Sequence, residues 1–207
     1  MKNNIESILI IGLGMIGASL ALASKSKGIK VFGYDSNDST VELAKKENFV
    51  DESFNSLEEI NNKNISDNID LVIVCVPPRQ TQEIFNNIHE LWNTSLTITD
   101  TSSVKNHLKI NNVDNIILSH PIAGSDRSGL SAADGELYID KKNVICDPFN
   151  AKSSHLNRLV DFWESAMQMR TSVMTVKDHD LIFAMTSHLP HLVSYALIDS
   201  IRLSSSD

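Results

Sequence analysis

The sequence has little cysteine, few prolines and no excess of basic residues, and each scarcity narrows the possible functions. Its 207 residues include two cysteines and five prolines, and 18 Lys and Arg against 26 Asp and Glu give a net charge of −8. Since no basic stretch could neutralise phosphates, the composition argues against a general nucleic-acid-binding protein. Cys75 and Cys146 lie in or next to apolar runs, so we interpret both as buried small hydrophobic residues rather than as a disulfide or a metal site.

Targeting and membrane signals are also missing from the sequence. The first residues lack the charge pattern and apolar length of a signal peptide, and we find no apolar run of membrane-spanning length. We therefore expect a soluble cytoplasmic protein that has no membrane partner and no nucleic-acid partner.

Short β-branched runs alternate with helical patterns as far as residue 175. The predicted strands lie at 8–11, 30–34, 70–76, 96–99, 115–118, 143–146 and 171–174. The predicted helices lie at 16–27, 39–48, 79–92, 104–110 and 153–169. This alternation predicts an α/β fold with a doubly wound, Rossmann-type, mostly parallel sheet. The long connection over 121–142 is typical of a functional loop.

The pattern changes after residue 175, where we find helical character and no further strand. We predict a dinucleotide-binding domain over 1–175 and the beginning of a helical substrate or dimerisation domain over 176–207. The stretch from Leu181 to Leu203 is apolar on most faces, and such a helix is normally buried. We expect further helices or a second subunit to cover it, which favours a homodimer.

The glycine motif over residues 12–17, Gly-Leu-Gly-Met-Ile-Gly, stands directly between the first strand and the first helix. Gly12 permits a tight turn, Gly14 lets the backbone approach a pyrophosphate, and Gly17 lets the helix pack close to the sheet. The pyrophosphate would rest on the N–H groups that open the helix, at Met15 and Ile16. The alternative interpretation is an ordinary glycine-rich turn.

Asp35 ends the second strand, 18 residues after Gly17. A carboxylate there accepts hydrogen bonds from both ribose hydroxyls and repels a 2′-phosphate, so the sequence favours NAD over NADP. The alternative is a turn or helix-capping aspartate. Val76, Pro77 and Pro78 end the central strand and would flank the nicotinamide side of the cofactor, although they could simply terminate the strand.

His120 is the strongest catalytic candidate, because it ends a strand at the edge where the ligand crevice of such a sheet lies. Oxidation of an alcohol by hydride transfer needs a base, and a neutral imidazole suits that task near pH 7. The alternative is a hydrogen-bonded core histidine. Ser102 and Ser103 follow another strand end, where a serine could bind the histidine or the substrate, or could cap the predicted helix at 104–110.

His188 and His191 are three residues apart, so a helix would place them on one face. A zinc pair is conceivable, but no third ligand is evident nearby, and we predict no metal site. Pro190 between them is expected to kink or restart the helix.

These motifs together resemble the prephenate/arogenate dehydrogenase family of tyrosine biosynthesis. The matching stretches are the glycine motif at 12–17, Asp35, 100–105, 119–125 with 128–129, and 179–180 leading to 187–191. The resemblance implies NAD-dependent oxidative decarboxylation of prephenate to 4-hydroxyphenylpyruvate, or of arogenate to tyrosine.

The resemblance also implies roles for individual residues. His120 would take the proton of the ring hydroxyl, and Ser103 would bind that histidine or the hydroxyl. Ser125 and Asp126 would lie at the pocket mouth, and His188 and His191 would contact the substrate from the helical domain.

Members of the family usually continue through several more helices, which supply an arginine for a substrate carboxylate. Two alternatives to a complete enzyme of this family therefore stay open. One is a β-hydroxyacid dehydrogenase, which would use a lysine of the helical segment, where Lys177 is the available one. The other is a truncated, non-catalytic protein that binds NAD.

Overall fold

The computed structural model describes residues 5–62, 68–91, 96–110, 113–146 and 151–204. The strands are β1 (Ser7–Ile11), β2 (Lys30–Tyr34), β3 (Glu52–Ser53), β4 (Leu71–Val74), β5 (Thr97–Asp100), β6 (Leu118–Ile122), β7 (Lys142–Cys146) and β8 (Arg170–Val173). The helices are α1 (Met15–Ser26), α2 (Asp38–Lys46), α3 (Leu57–Asn62), α4 (Pro78–Asn87), α5 (Ser153–Asp161), α6 (Val176–Phe183) and α7 (Leu189–Ser204). The ends of the two predicted domains, 1–4 and 205–207, and the last residue of the helix predicted over 79–92 lie outside the described residues.

The first five strands form a parallel sheet in the order β3-β2-β1-β4-β5. A single parallel bridge between Ile98 and Ile116 connects β5 to the segment that enters β6. Strand β6 then pairs antiparallel with β7, which pairs parallel with β8. The prediction of a doubly wound, mostly parallel sheet is confirmed.

Both faces of the sheet are buried, as the continuous apolar strands require. Ile8 and Ile10 of β1 face one core, which includes Trp163. Leu9 and Ile11 face the opposite core, which includes Phe85 of α4. Helices therefore cover the two sides of the central strands β1 and β4, which are buried along their whole length.

The strand order reverses between β1 and β4, and open α/β sheets bind ligands at such a point. The turn after β1 lies tightly against the end of β4. Gly12 has a φ of +99°, and a Cβ atom on it would lie 2.7 Å from the carbonyl oxygen of Cys75. Only glycine fits this conformation and this contact.

The helix predicted over 104–110 is wrong, because this segment forms an irregular turn. Tertiary contacts override its helical pattern. The side chain of Lys105 points into the core, and the backbone amides of Lys105 and Asn106 donate to the carboxylate of Asp180. Those amides are thereby held by a residue from a distant helix.

Two predicted boundaries also differ from the structure. The strand expected at 115–118 makes only one bridge there, and regular pairing begins at Leu118, where β7 becomes its neighbour. The helix expected over 153–169 ends as α-helix at Asp161 and continues as a π-helical turn over Phe162–Ala166.

The chain ends in a long helical segment, Val176–Ser204, which we call the C-terminal helix. A π-helical turn over Ala184–His188 precedes Pro190, where the sequence predicted a kink or a restart. Such a turn accommodates Pro190, which has no backbone N–H group to donate to a carbonyl of the preceding turn. The apolar side chains along it are exposed: Leu181, Ile182, Met185, Leu189, Leu192, Val193, Tyr195, Leu197, Ile198, Ile201 and Leu203.

The same 29-residue helix is long and apolar enough to cross a membrane, with a mean hydropathy of 1.4 in its most apolar window. The prediction that no stretch reaches membrane-spanning length is therefore wrong. The prediction missed this stretch because Ser, His and Thr interrupt the apolar residues along the helix. Length and composition alone are weak evidence for a membrane span.

A buried ion pair joins β5, β6 and the 101–106 turn. The ammonium of Lys105 lies 2.7 Å from both carboxylate oxygens of Asp100 and 2.5 Å from the carbonyl oxygen of Ser119, and both side chains of the pair are fully buried. Burial lowers the pKa of Lys105, and the charge of Asp100 opposes this shift. The second oxygen of Asp100 also accepts a hydrogen bond from the hydroxyl of Ser102.

We predict that Lys105→Met lowers the free energy of unfolding by about 3–5 kcal/mol, because it leaves the Asp100 carboxylate buried without its cation. The exposed pair between Lys30 and Glu52 is the matched control, and Lys30→Met is expected to cost about 1 kcal/mol or less. Urea denaturation measures both changes. Equal losses for the two variants would contradict the role given to Lys105.

Candidate functional site

A groove runs along the carboxyl edge of the parallel sheet and has two parts. The first part has a volume of about 490 Å³. The glycine turn, the end of β2 and the end of β4 line it through Gly12, Gly14, Asp35, Val76 and Pro77. These residues were all predicted to bind the cofactor, and the fold places them around one space.

The second part of the groove has a volume of about 480 Å³ and shares Gly14, Val76 and Pro77 with the first. It adds three predicted cofactor residues, Met15, Ile16 and Pro78, and both predicted catalytic residues, Ser103 and His120. The predicted catalytic residues thus lie beside the predicted nucleotide-binding turn.

The glycine turn has the shape needed for a dinucleotide. A Cβ atom on Gly14 would meet no atom within 4 Å, so the backbone here faces open space in the groove. A Cβ atom on Gly17 would lie 2.0 Å from the carbonyl oxygen of Gly12, which means that Gly17 serves the packing of α1 against the turn. The open side at Gly14 and the N-terminus of α1 leave room for a pyrophosphate.

Asp35 connects β2 to the glycine turn. One carboxylate oxygen accepts a hydrogen bond from the amide of Leu13 at 2.8 Å, and the other accepts from the amide of Asn37 at 2.9 Å. The turn interpretation of Asp35 and its ribose-binding interpretation are therefore compatible, because the carboxylate also lines the groove.

His120 lies in β6, partly buried at the second part of the groove. Burial lowers the pKa of His120 to about 3, and the positive charge of Lys105 acts in the same direction. The imidazole is therefore neutral near pH 7 and has a lone pair available for a proton. The ring of Phe183 packs against it edge to face, with ring centroids 4.8 Å apart.

Sequence reasoning gave no role to His179, which contacts Nδ1 of His120, or to Asp180, which contacts His179 in turn. His120 Nδ1 lies 2.9 Å from His179 Nε2, and His179 Nδ1 lies 2.7 Å from a carboxylate oxygen of Asp180. His179 is fully buried at the start of the C-terminal helix. The signal in the sequence was a His-Asp pair within an otherwise apolar helical stretch.

Ser103 and Ser102 have different surroundings. Both serines line the second part of the groove together with His120, although no hydrogen bond joins Ser103 to His120 within the described residues. The Ser102 hydroxyl donates to Asp100 and also lies 3.0 Å from the carbonyl oxygen of Val104. The hydroxyl of Ser102 is thus held by the turn and the residue is buried, whereas Ser103 is partly exposed.

Ser125 and Asp126 are exposed in the loop after β6, where their side chains hydrogen-bond to each other. They do not line the described groove, and the residues that do are Arg127, Ser128 and Gly129 just beyond them. Arg127 brings a positive charge to this part of the groove, which the sequence did not single out.

His188 and His191 are exposed on the C-terminal helix and do not line the groove formed by the described residues. His188 is close enough for its charge to contribute to the lowered pKa of His120. The ring of His191 instead packs near Tyr195.

Lys177, on which the β-hydroxyacid dehydrogenase alternative depends, is exposed and likewise absent from the groove lining. The described residues contain no cluster that could hold a metal ion.

Comparison with known proteins identifies the family. The family model for the prephenate dehydrogenase nucleotide-binding domain matches residues 19–170. The chain belongs to the prephenate dehydrogenase family. The model for the prephenate dehydrogenase dimerization domain matches residues 175–207, where the C-terminal helix lies.

Individual relatives agree with this assignment. The chain is 32% identical to cyclohexadienyl dehydrogenase of Zymomonas mobilis over 205 residues, which cover 93% of this chain and 66% of the relative. It is 28% identical to prephenate dehydrogenase of Lactococcus lactis, covering 93% of this chain and 53% of that protein. The structure of A. aeolicus prephenate dehydrogenase in complex with hydroxyphenyl propionate and NAD+ superposes with a TM-score of 0.83 at 28% identity, over 97% of this chain and 70% of that one. The chain thus spans between half and two thirds of the length of these curated relatives.

We predict that two alanine substitutions in the glycine turn affect different properties, one the thermal stability and the other the affinity for NAD. Gly17→Ala should lower the Tm, because its Cβ overlaps the Gly12 carbonyl oxygen. Gly14→Ala should leave the Tm unchanged but weaken NAD binding about ten- to hundredfold, because it fills the space where a phosphate would meet backbone N–H groups. Thermal unfolding and NAD titration by calorimetry measure the two effects. Unchanged NAD affinity in Gly14→Ala would contradict this placement of the cofactor.

Proposed function

We propose that this protein catalyses the NAD-dependent oxidative decarboxylation of prephenate to 4-hydroxyphenylpyruvate in tyrosine biosynthesis. The observation that carries the proposal is the position of His120, a neutral imidazole in the same groove as the glycine turn. The similarity to prephenate and cyclohexadienyl dehydrogenases and the matching family models support the same reaction.

The residues of the groove fit NAD. The open backbone at Gly14 would face the pyrophosphate, and Asp35 at the end of β2 would accept from the ribose hydroxyls. The carboxylate would repel a 2′-phosphate, which favours NAD over NADP. The N–H groups of Met15 and Ile16 would hold the pyrophosphate, and Val76, Pro77 and Pro78 would border the nicotinamide side. When bound, NAD supplies the acceptor for a hydride.

His120 supplies the base for the reaction. As the ring carbon of prephenate loses its hydride, the hydroxyl on that carbon becomes a carbonyl and its proton passes to His120. The resulting dienone loses carbon dioxide, because the ring then becomes aromatic. His120 is suited to this step because it lies at the groove wall in its neutral form.

Other residues would bind the substrate. Ser103 in the groove would hydrogen-bond the hydroxyl, and the guanidinium of Arg127 is suited to one of the two substrate carboxylates. The resemblance to the family is the basis for proposing Ser125, Asp126, His188 and His191 as further substrate-binding residues; Ser125 and Asp126 directly precede the groove residue Arg127. Arogenate differs from prephenate in carrying an amino group in place of the side-chain keto group, and it remains the alternative substrate.

We further propose that the C-terminal helix belongs to a second, helical domain that begins at residue 176 and forms a homodimer. Its exposed apolar side chains and the match to a dimerization domain support this arrangement over a membrane span. A cytoplasmic location is consistent with two free cysteines.

Turnover of prephenate tests the proposed reaction. We expect NADH formation from prephenate and NAD, and little from NADP. His120→Asn should reduce kcat about 10²–10⁴-fold while leaving NAD affinity unchanged, because it removes the base and does not touch the pyrophosphate site. Ser103→Ala should reduce turnover less. Absorbance at 340 nm follows the reaction, with arogenate in a parallel series. A His120→Asn variant with full turnover would contradict the mechanism.

Light scattering tests the dimer. We expect light scattering to give the mass of a dimer. Leu192→Asp should weaken the association at least about tenfold, because burying one leucine contributes about 1.5–3 kcal/mol. Asn157→Asp adds the same charge to an exposed position of α5 and should have no effect. A monomer at all concentrations, or equal behaviour of the two variants, would refute the assignment.

A further inference from the structure

The contacts of His120 continue into the C-terminal helix as a chain of three side chains. His120 Nδ1 and His179 Nε2 are 2.9 Å apart, and His179 Nδ1 and Asp180 Oδ1 are 2.7 Å apart. Asp180 Oδ1 also accepts from the amide of Lys105 at 3.0 Å, and Oδ2 accepts from the amide of Asn106 at 2.8 Å and more weakly from that of Lys105 at 3.3 Å.

The direction of each hydrogen bond follows from the end of this chain. Burial acts to raise the pKa of Asp180, but the amide of Asn106 and the hydrogen bond from His179 lower it overall, so the carboxylate is ionised and can only accept. His179 Nδ1 must therefore carry a proton. Burial lowers the pKa of His179, which is neutral, and so its Nε2 has a lone pair.

That lone pair can only be an acceptor, and so His120 Nδ1 must be the donor. A neutral His120 protonated on Nδ1 has its lone pair on Nε2. Within the described residues Nε2 has no hydrogen-bond partner, and the residue lines the groove. The basic nitrogen is thus the one left free for a substrate proton.

We propose that His179 and Asp180 are positioning residues that hold His120 in the tautomer with its lone pair on Nε2. The proposal deepens the function given above and rests on it for the effect on turnover, whereas the tautomer itself can be measured without substrate. Three further observations support it.

The first is packing. The ring of Phe183 contacts both imidazoles, with centroids 4.8 Å from His120 and 4.7 Å from His179, and so it covers the hydrogen bond between them. The second is burial, because His179 is fully enclosed and has no access to water that could replace either partner.

The third is connectivity. His179, Asp180 and Phe183 all lie on α6, whereas His120 and the amides that hold Asp180 lie on the nucleotide-binding side of the molecule. The charged or ionisable groups that face His120 are Lys105, His179, His188 and Asp180. Docking of α6 therefore completes the environment of the base.

Asp180→Asn makes the sharpest test. If the Asn oxygen takes the place of Oδ2, it keeps the amide of Asn106 at 2.8 Å and the longer contact with the amide of Lys105 at 3.3 Å. The NH₂ group then replaces Oδ1 and donates to His179 Nδ1. His179 then carries its proton on Nε2 and donates to His120 Nδ1, which moves the His120 proton to Nε2. The groove then meets an N–H group in place of a lone pair.

Histidine tautomers can be read from long-range ¹H–¹⁵N correlation spectra of protein labelled with ¹⁵N-histidine. We expect His120 to be protonated on Nδ1 in the unaltered protein and on Nε2 in Asp180→Asn. We expect kcat to fall about 10- to 100-fold in Asp180→Asn, the range seen when a group that orients another is lost, with KM and NAD affinity nearly unchanged. His179→Gln keeps a carbonyl acceptor for His120 Nδ1 and should retain the original tautomer and most of the activity.

Thr175→Ala is the control for a merely structural role of α6. It removes the side-chain cap that accepts from the amide of Asp178, so it should lower the Tm without changing the tautomer or kcat. A folded Asp180→Asn variant with unchanged tautomer and kcat would overturn the proposal, as would an unaltered protein with its His120 proton on Nε2. If the tautomer changes as expected but prephenate is not oxidised, the proposed function fails and the positioning role stands.

Discussion

The buried ammonium of Lys105 is the contact on which the site depends. Its side chain binds Asp100 at the end of β5 and the carbonyl oxygen of Ser119, the residue that precedes His120 in β6. Its backbone amide binds Asp180 on the C-terminal helix. One residue therefore fixes two strand ends and a helix around the catalytic candidate. Because an unpaired buried charge is costly, we expect β5, β6 and the C-terminal helix to keep their relative positions around Lys105.

The second constraint is the topology of the sheet. Parallel strands bring their carboxyl ends to one edge, and the reversal of strand order between β1 and β4 opens a groove there. The glycine turn, Asp35 and the end of β4 come from three strands, and His120 comes from a fourth, yet they line adjoining parts of the same groove. Hydride transfer needs such proximity between the cofactor and the base.

Local patterns in the sequence were sufficient for the parallel core, the glycine turn and the strand that contains His120. Each has a short-range physical signature: a β-branched run, glycines at fixed spacing, or a polar residue at a strand end. The irregular turn at 104–110 could not be predicted in the same way, because it is imposed by Asp180, more than seventy residues away.

The contacts of His179 were missed for the same reason. The His-Asp pair was visible in the sequence as one of the stretches that resemble the family, but its contact with His120 depends on how α6 docks, which no local pattern specifies. The position of Arg127 in the groove likewise depends on the path of the loop after β6 rather than on any local pattern. By contrast, the exposed apolar side of the C-terminal helix was predictable, because a helix that is apolar on most faces must be covered by something.

The central claim is that one groove holds the dinucleotide and the substrate against His120. A crystal structure of the protein with NAD and hydroxyphenyl propionate tests it most directly. The account predicts the pyrophosphate at Gly14, the ribose hydroxyls at Asp35, and the phenolic oxygen within hydrogen-bond distance of His120 Nε2. A phenolic oxygen bound elsewhere, or a His120 whose Nδ1 faces the ligand, would contradict it.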